Sequence, residues 1–210
     1  MGKVLVTIGR QFGSNGRIIG EKVAEKLGIP CYDKQLIKRV AKESGLWEGI
    51  LDEMDEKPTN SLLYSVVMDP YAFAYSFDKQ EFGMSLSQKA FLATYNTIEN
   101  IAKEGSGVFI GRCANYVLRD FDHVLNLFIH APLDVRIKTV MERFSLSEKQ
   151  AKDQIQKEDK ARANYYNYYT SSKWGKIDGY DMMIDSSFLG AEGTAELILK
   201  VVEQMNAGRS

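Results

Sequence analysis

Residues 4–20 read VLVTIGRQFGSNGRIIG: an apolar strand, a glycine-rich bend and the start of an amphipathic helix. Val4, Leu5, Val6 and Ile8 form a nearly unbroken apolar run, the pattern of a strand covered on both faces of a parallel sheet. Gly13 and Gly16 admit backbone angles that a side chain forbids. Ile18, Ile19, Val23, Ala24 and Leu27 then recur at helical spacing, and Gly28 followed by Pro30 predicts where that helix stops. A tight turn from strand into helix points unpaired amides at one place, where the helix dipole adds about half a positive charge. Such a place binds anions, phosphate above all. The alternative is a solvated turn with no ligand.

The phosphate-binding pattern G-x-x-x-x-G-K-[ST] fits this loop imperfectly. Laid on Gln11–Ile18, it matches Gly16 but meets Gln11 at the first glycine, Arg17 at the lysine and Ile18 at the hydroxyl position. Laid on Arg10–Arg17, it puts Gly16 at the lysine and Arg17 at the hydroxyl. Both frames lack the lysine. The planar fork of Arg17 can neutralise phosphate in its place, though not as an equivalent, with Arg10 close by in sequence. The amides of Gly13, Ser14, Asn15, Gly16 and Arg17 would cradle donor phosphates, and Ser14 is the only hydroxyl in the loop for a magnesium ion.

A chain of 210 residues, 44% of them hydrophobic, can bury one substantial core, so one domain with a mobile appendage is expected. A net charge of −1 gives no long-range pull toward nucleic acid or an anionic membrane. The wholly apolar runs are a few residues long, far below the ~20 that span a bilayer. No basic-then-apolar leader opens the chain, and Cys31 and Cys113 have no metal-like spacing, so reduced thiols in a cytoplasmic protein are expected.

Strand-like and helix-like segments alternate, which predicts an α/β domain with a parallel sheet. After the first unit come a short strand near 29–32 and a helix over 33–44, capped by Asp33 and closed by Gly45. Residues 46–104 read as mostly helical, broken near Pro58, Pro70 and Gly83, with Phe91, Leu92, Tyr95, Ile98 and Ile101 along one buried face. Further strands are expected at 107–110, 124–129 and 182–184, and helices at 133–144, 147–169 and 191–205. Sheets of this kind bind ligands at the carboxyl ends of their strands. There lie the glycine loop, then Asp33, Lys34 and Arg39, then Gly111 and Arg112, and finally Asp185 and Ser186. Taken singly, Asp33 also reads as a helix cap and Arg39 as a solvated charge.

The succession of glycine loop, YDKQLIKR, IGRCANYVL, charged helix and MIDSS resembles the cytidylate kinase-like group of P-loop kinases, over nearly the whole chain. RQFGSNGR followed by GIPCYDK is similar to an uncharacterised branch of that group. The resemblance implies a three-layer α/β/α P-loop NTPase fold with a five-stranded parallel sheet and a helical lid. Residues 1–210 would form one kinase-like domain, with a helical acceptor-side insertion near 46–104 and a lid near 147–173. It also implies that Asp33, Arg39, Arg112 and Asp185 hold the acceptor. Cys113 replaces the family's aspartate after the glycine–arginine pair, which removes acidic assistance from that position.

Lid arginines in the family close over the phosphates, and Lys157, Lys160 and Arg162 stand on the corresponding helix here. Lys157 and Lys160 share a face that Arg162 does not. A solvated face paired with Glu158 and Asp159 is the alternative. Tyr165, Tyr166, Tyr168 and Tyr169, like Phe73, Tyr75 and Phe77, could stack a base, though packing of the lid base against the core suits the tyrosines better, and the region of Phe73, Tyr75 and Phe77 could equally cover a partner subunit. The implied reaction is in-line phosphoryl transfer from ATP, with magnesium, to a nucleoside monophosphate. Arg17, Arg112, Lys160 and Arg162 would carry it, in a monomer or homodimer that needs no nucleic acid or membrane. A kinase for another small metabolite and a non-catalytic nucleotide-binding or interaction protein remain the alternatives.

Overall fold

The computed structural model describes residues 2–54, 56 and 84–207. The first apolar run becomes β1 (Leu5–Arg10), the centre of a five-stranded, wholly parallel sheet. The other strands are β2 (Cys31–Tyr32), β3 (Gly107–Ile110), β4 (Val124–His130) and β5 (Met182–Asp185). Their spatial order is β2-β3-β1-β4-β5. Leu5 stands in register with Gly107 on one side and Val124 on the other, so β1 is hydrogen-bonded along both edges.

Alternation along the strands sends side chains to two separate cores. Val6, Ile8, Val108, Ile110, Leu127 and Ile129 pack against α1 (Gly16–Leu27) and α8 (Gly190–Ala207). Leu5 and Phe109 face the opposite layer, built from α2 (Lys34–Ser44), α3 (Glu48–Met54), α4 (Leu86–Glu104) and the short α5 (Ala114–Val117). Each fully buried side chain of this size contributes about 1.5–3 kcal/mol from leaving water. The result is the expected three-layer α/β/α arrangement. Gly20 lets α1 lie close on the sheet, since a Cβ there would come within 2.3 Å of the Ile110 side chain.

Helix ends follow their predicted signals. Gly28 and Gly45 close α1 and α2 in the left-handed conformation. Two differences have physical causes. The buried stripe of α4 runs through Ala90, Thr94, Thr97, Ile98 and Ile101, with Ile98 and Ile101 in the core they share with Leu36, Ile37 and Val40 of α2, and Leu92 falls on the exposed side of that stripe. Asp33 sits at the N-cap position of α2 but makes no capping bond; its carboxylate turns elsewhere, as described below. Phe73, Tyr75 and Phe77, with the breaks expected near Pro58, Pro70 and Gly83, lie outside the described residues.

After β4, α6 (Leu133–Phe144) leads into the long α7 (Glu148–Thr170). Ala151 and Ile155 of α7 pack on Val140 beside Phe12, while Tyr165 and Tyr166 pack around Cys113 with Phe91 and Trp174. The tyrosines therefore serve packing, Tyr168 alone among them being exposed. Ser147 starts α7 with a capping box: its hydroxyl accepts the Gln150 N–H, and the Gln150 side chain accepts the Ser147 N–H at 3.0 Å. Ser147→Ala is expected to cost about 1 kcal/mol in chemical denaturation.

Candidate functional site

The turn between β1 and α1 is held from several sides. The Gln11 N–H donates to the Ile129 carbonyl at 3.0 Å, and Gln11 Oε1 accepts the Ala131 N–H at 3.3 Å. Gly13 adopts a φ of +82°, and a Cβ there would stand 2.9 Å from the Arg136 carbonyl oxygen. Asn15 is left-handed, with a φ of 61°, and caps nothing; its side chain accepts a hydrogen bond from Arg143 at 2.7 Å. The first intrahelical bond of α1 runs from the Ile19 N–H to the Asn15 carbonyl. The amides before it in the first turn therefore have no intrahelical carbonyl partner, and Gly16 and Arg17, which carry two of them, stand in the wall of a cleft.

That cleft has a volume of about 450 Å³ and includes Gly13, Asn15, Gly16 and Arg17 in its wall. Six cations line it: Arg10, Arg17, Lys34, Arg112, Arg143 and Arg162. Four acids offset them, namely Asp33, Asp52, Glu56 and Glu158. An excess of positive charge beside amides with no intrahelical partner is the electrostatic signature of an anion site.

Asp33 accepts ion pairs from Arg17 at 3.0 Å and Arg112 at 3.3 Å. These two arginines, read from different motifs, are thereby brought to one carboxylate. Arg112 is 3% exposed, and its guanidinium also donates to the Ile110 carbonyl. The turn that presents it has three successive positive φ values: 72° at Gly111, 52° at Arg112 and 57° at Cys113. Left-handed backbone at two non-glycine residues costs about 1–2 kcal/mol each, and such strain gathers where a geometry must be held. Cys113 is buried, and burial followed by the nearby Glu56 charge pushes its thiol well above the ordinary value, so it supplies no anion at neutral pH.

The acid in this region is instead Glu56. Its Oε1 accepts Arg10 Nη1 at 2.5 Å and the Arg112 N–H at 3.0 Å, and its Oε2 accepts Arg162 Nε at 3.2 Å. Burial alone would raise this carboxyl, but the guanidiniums of Arg10 and Arg162, together with Arg112, outweigh it and hold it well below the carboxylate range. Arg162 also donates to the Arg10 carbonyl and lies 5.6 Å over the Phe12 ring. No sequence signal marks Glu56, which sits in a charged stretch before Pro58.

A second unforeseen network ties α7 to the loop. Asp159 accepts the Phe12 N–H at 2.7 Å and Arg136 Nη1 at 2.6 Å. Arg136 in turn donates to the Phe12 and Ala131 carbonyls.

Four sequence candidates lie off the cleft or face away from it. The Ser14 hydroxyl is buried and bonded to the Gln11 and Ile129 carbonyls, so it points into the base of the loop rather than toward a bound metal ion. Arg39 pairs with Glu43 and Glu104 on the outer side of α2. Asp185 accepts the Ser187 N–H at 2.9 Å in a local turn, and Lys160 is solvent-exposed on the outer side of α7. On α7, Lys157 and Lys160 are solvent-exposed, whereas Arg162 lines the cleft with Glu158 and Ala161.

The model of the cytidylate kinase-like family matches residues 5–188. The chain belongs to this family. A cytidylate kinase of Methanothrix thermoacetophila is 26% identical over 203 residues, covering 96% of this chain and 99% of that protein. One from Methanopyrus kandleri is 21% identical, covering 96% and 94%. Among solved structures, an uncharacterised Eubacterium ventriosum protein matches with a TM-score of 0.69 at 28% identity, over 96% of this chain and 99% of that one. Shikimate kinase of Bacteroides thetaiotaomicron matches with a TM-score of 0.53 at 13% identity, over 96% of this chain and 99% of that one; it supports the P-loop kinase fold alone.

Proposed function

We propose that this member of the cytidylate kinase-like family transfers the terminal phosphoryl group of ATP to a nucleoside monophosphate, cytidylate first among them. The observation that carries this reading is the convergence of Arg10, Arg112 and Arg162, from three different elements, on a cleft whose wall includes Gly16 and Arg17 of the first turn of α1. The amides of Gly13, Asn15, Gly16 and Arg17 hold the donor phosphates, with the Arg17 guanidinium beside them. Arg112, oriented by Asp33, holds the acceptor phosphate. Arg162, carried on the lid helix α7, neutralises charge on the transferring group and helps to exclude water. Arg39, Asp185 and Lys160 take no part in this scheme.

Magnesium bound with the triphosphate supplies charge neutralisation between its phosphates. Among the described residues no cluster of His, Cys, Asp and Glu is built to hold a metal ion, and Ser14 is turned away. The ion is therefore expected to be held mainly by phosphate oxygens and water, with Asp52 or Glu158 of the cleft wall within the same cavity. Free Cys31 and Cys113 suit a reducing compartment such as the cytoplasm.

The missing lysine and the inward Ser14 hydroxyl favour a second reading, a protein that binds nucleotide without transferring phosphate. One assay separates them. Labelled ATP with magnesium, offered with each of the common nucleoside monophosphates and with small hydroxylated metabolites, is expected to give labelled cytidine diphosphate fastest. Tight triphosphate binding with no labelled product from any acceptor would support the second reading instead.

A further inference from the structure

The Glu56 carboxylate is gripped in the way an anionic ligand would be. Its three donors come from three elements that face the cleft: Arg10 at the end of β1, the main-chain amide of Arg112 after β3, and Arg162 on α7. Gly111 leaves this place free of side chain. A Cβ there, at a φ of +72°, would fall within 2.0 Å of both Glu56 Oε1 and the Arg10 guanidinium, the nearer atom. Glu56 itself stands at a turn beyond α3, outside the helices and strands given above.

Charge points the same way. Arg10, Arg17, Arg112 and Arg162 are faced by Asp33 and Glu56, which leaves the cluster at plus two. With Glu56 withdrawn it stands at plus three, a charge that a phosphate dianion offsets in large part.

We propose that Arg10, Arg162 and the Arg112 amide form an oxyanion subsite for a phosphoryl group, and that Glu56 occupies it and competes with the ligand. The inference rests on reading the cleft as a phosphate site. A site open only part of the time binds with its intrinsic affinity multiplied by the open fraction. If Glu56 occupies the subsite at least nine-tenths of the time, its removal tightens binding tenfold or more. Because Arg10 and Arg162 hold the carboxyl well below its usual range, mild acidification does not relieve the competition.

The test is calorimetric titration of inorganic phosphate into the parent, Glu56→Gln and Glu56→Asp. The glutamine variant is expected to bind phosphate at least tenfold more tightly. Aspartate, one methylene short of the three donors, is expected to fall between it and the parent. Arg162→Ala added to Glu56→Gln should cancel the gain. Unchanged or weaker phosphate binding in Glu56→Gln, with a cooperative melt to show that it folds, overturns the proposal. Should that variant not fold, an aspartate variant binding no tighter than the parent overturns it equally. A parallel titration with a non-hydrolysable triphosphate separates the two readings: parent binding of triphosphate together with an unchanged phosphate affinity in the variants removes the competition alone. Absence of triphosphate binding in every variant removes the reading of the loop.

Discussion

Asp159→Ala is expected to lose about 3 kcal/mol of unfolding free energy. Its carboxylate is the anionic partner of Arg136, whose side chain is only 10% exposed, and it also accepts the Phe12 N–H at 2.7 Å. Removing one member of a buried pair leaves the other charge in a poor solvent, which costs about 3–5 kcal/mol. The partial exposure of Asp159, 18%, places the effect at the lower end. Asp159→Asn keeps an acceptor for the Phe12 amide but not the charge, so its loss should be smaller. Urea denaturation of both variants checks this, and a loss below about 1 kcal/mol would mean that water takes the place of the carboxylate. The same variants should bind triphosphate more weakly, because Asp159 and Arg136 together hold the main chain of Phe12, one residue before Gly13.

Arg112→Ala should lower kcat/KM for transfer to cytidylate by about 10²–10³-fold while leaving triphosphate affinity within about threefold. The guanidinium is buried, aimed by Asp33 and the Ile110 carbonyl, and carried by a left-handed turn, so its position in the cleft wall is fixed before any ligand binds. Arg112→Lys retains the charge but not the planar fork and should recover only part of the loss. Steady-state kinetics with the acceptor varied decide the point. An equal fall in triphosphate affinity would move Arg112 to the donor side.

The fold was legible where local patterns agree with tertiary packing. The strand 107–110 and the helix 133–144 end where the sequence says, because glycine and apolar runs bound the first and periodic burial sets the second. The glycine loop, Asp33 and Arg112 were legible as a group because a parallel sheet brings the ends of its strands to one edge, but the same argument also named Arg39 and Asp185, which lie off the cleft, and Arg162 on α7 came only from the family resemblance. What sequence does not carry is the direction in which a polar side chain points. Ser14 has the right residue type but turns its hydroxyl to the Ile129 carbonyl. Asp33 has the signature of a cap and instead joins two arginines. Glu56 and Asp159 lie 46 and 147 residues from Arg10 and Phe12, their respective partners, so no local pattern couples them.

On the proposed function, the amides between β1 and α1 grip phosphate although the usual lysine is missing. The most direct test is amide-resolved NMR during titration with a non-hydrolysable triphosphate and magnesium. We expect the largest shifts at the N–H groups of Gly13, Asn15, Gly16 and Arg17, saturating together. Binding that leaves those four amides unmoved while others shift would contradict it.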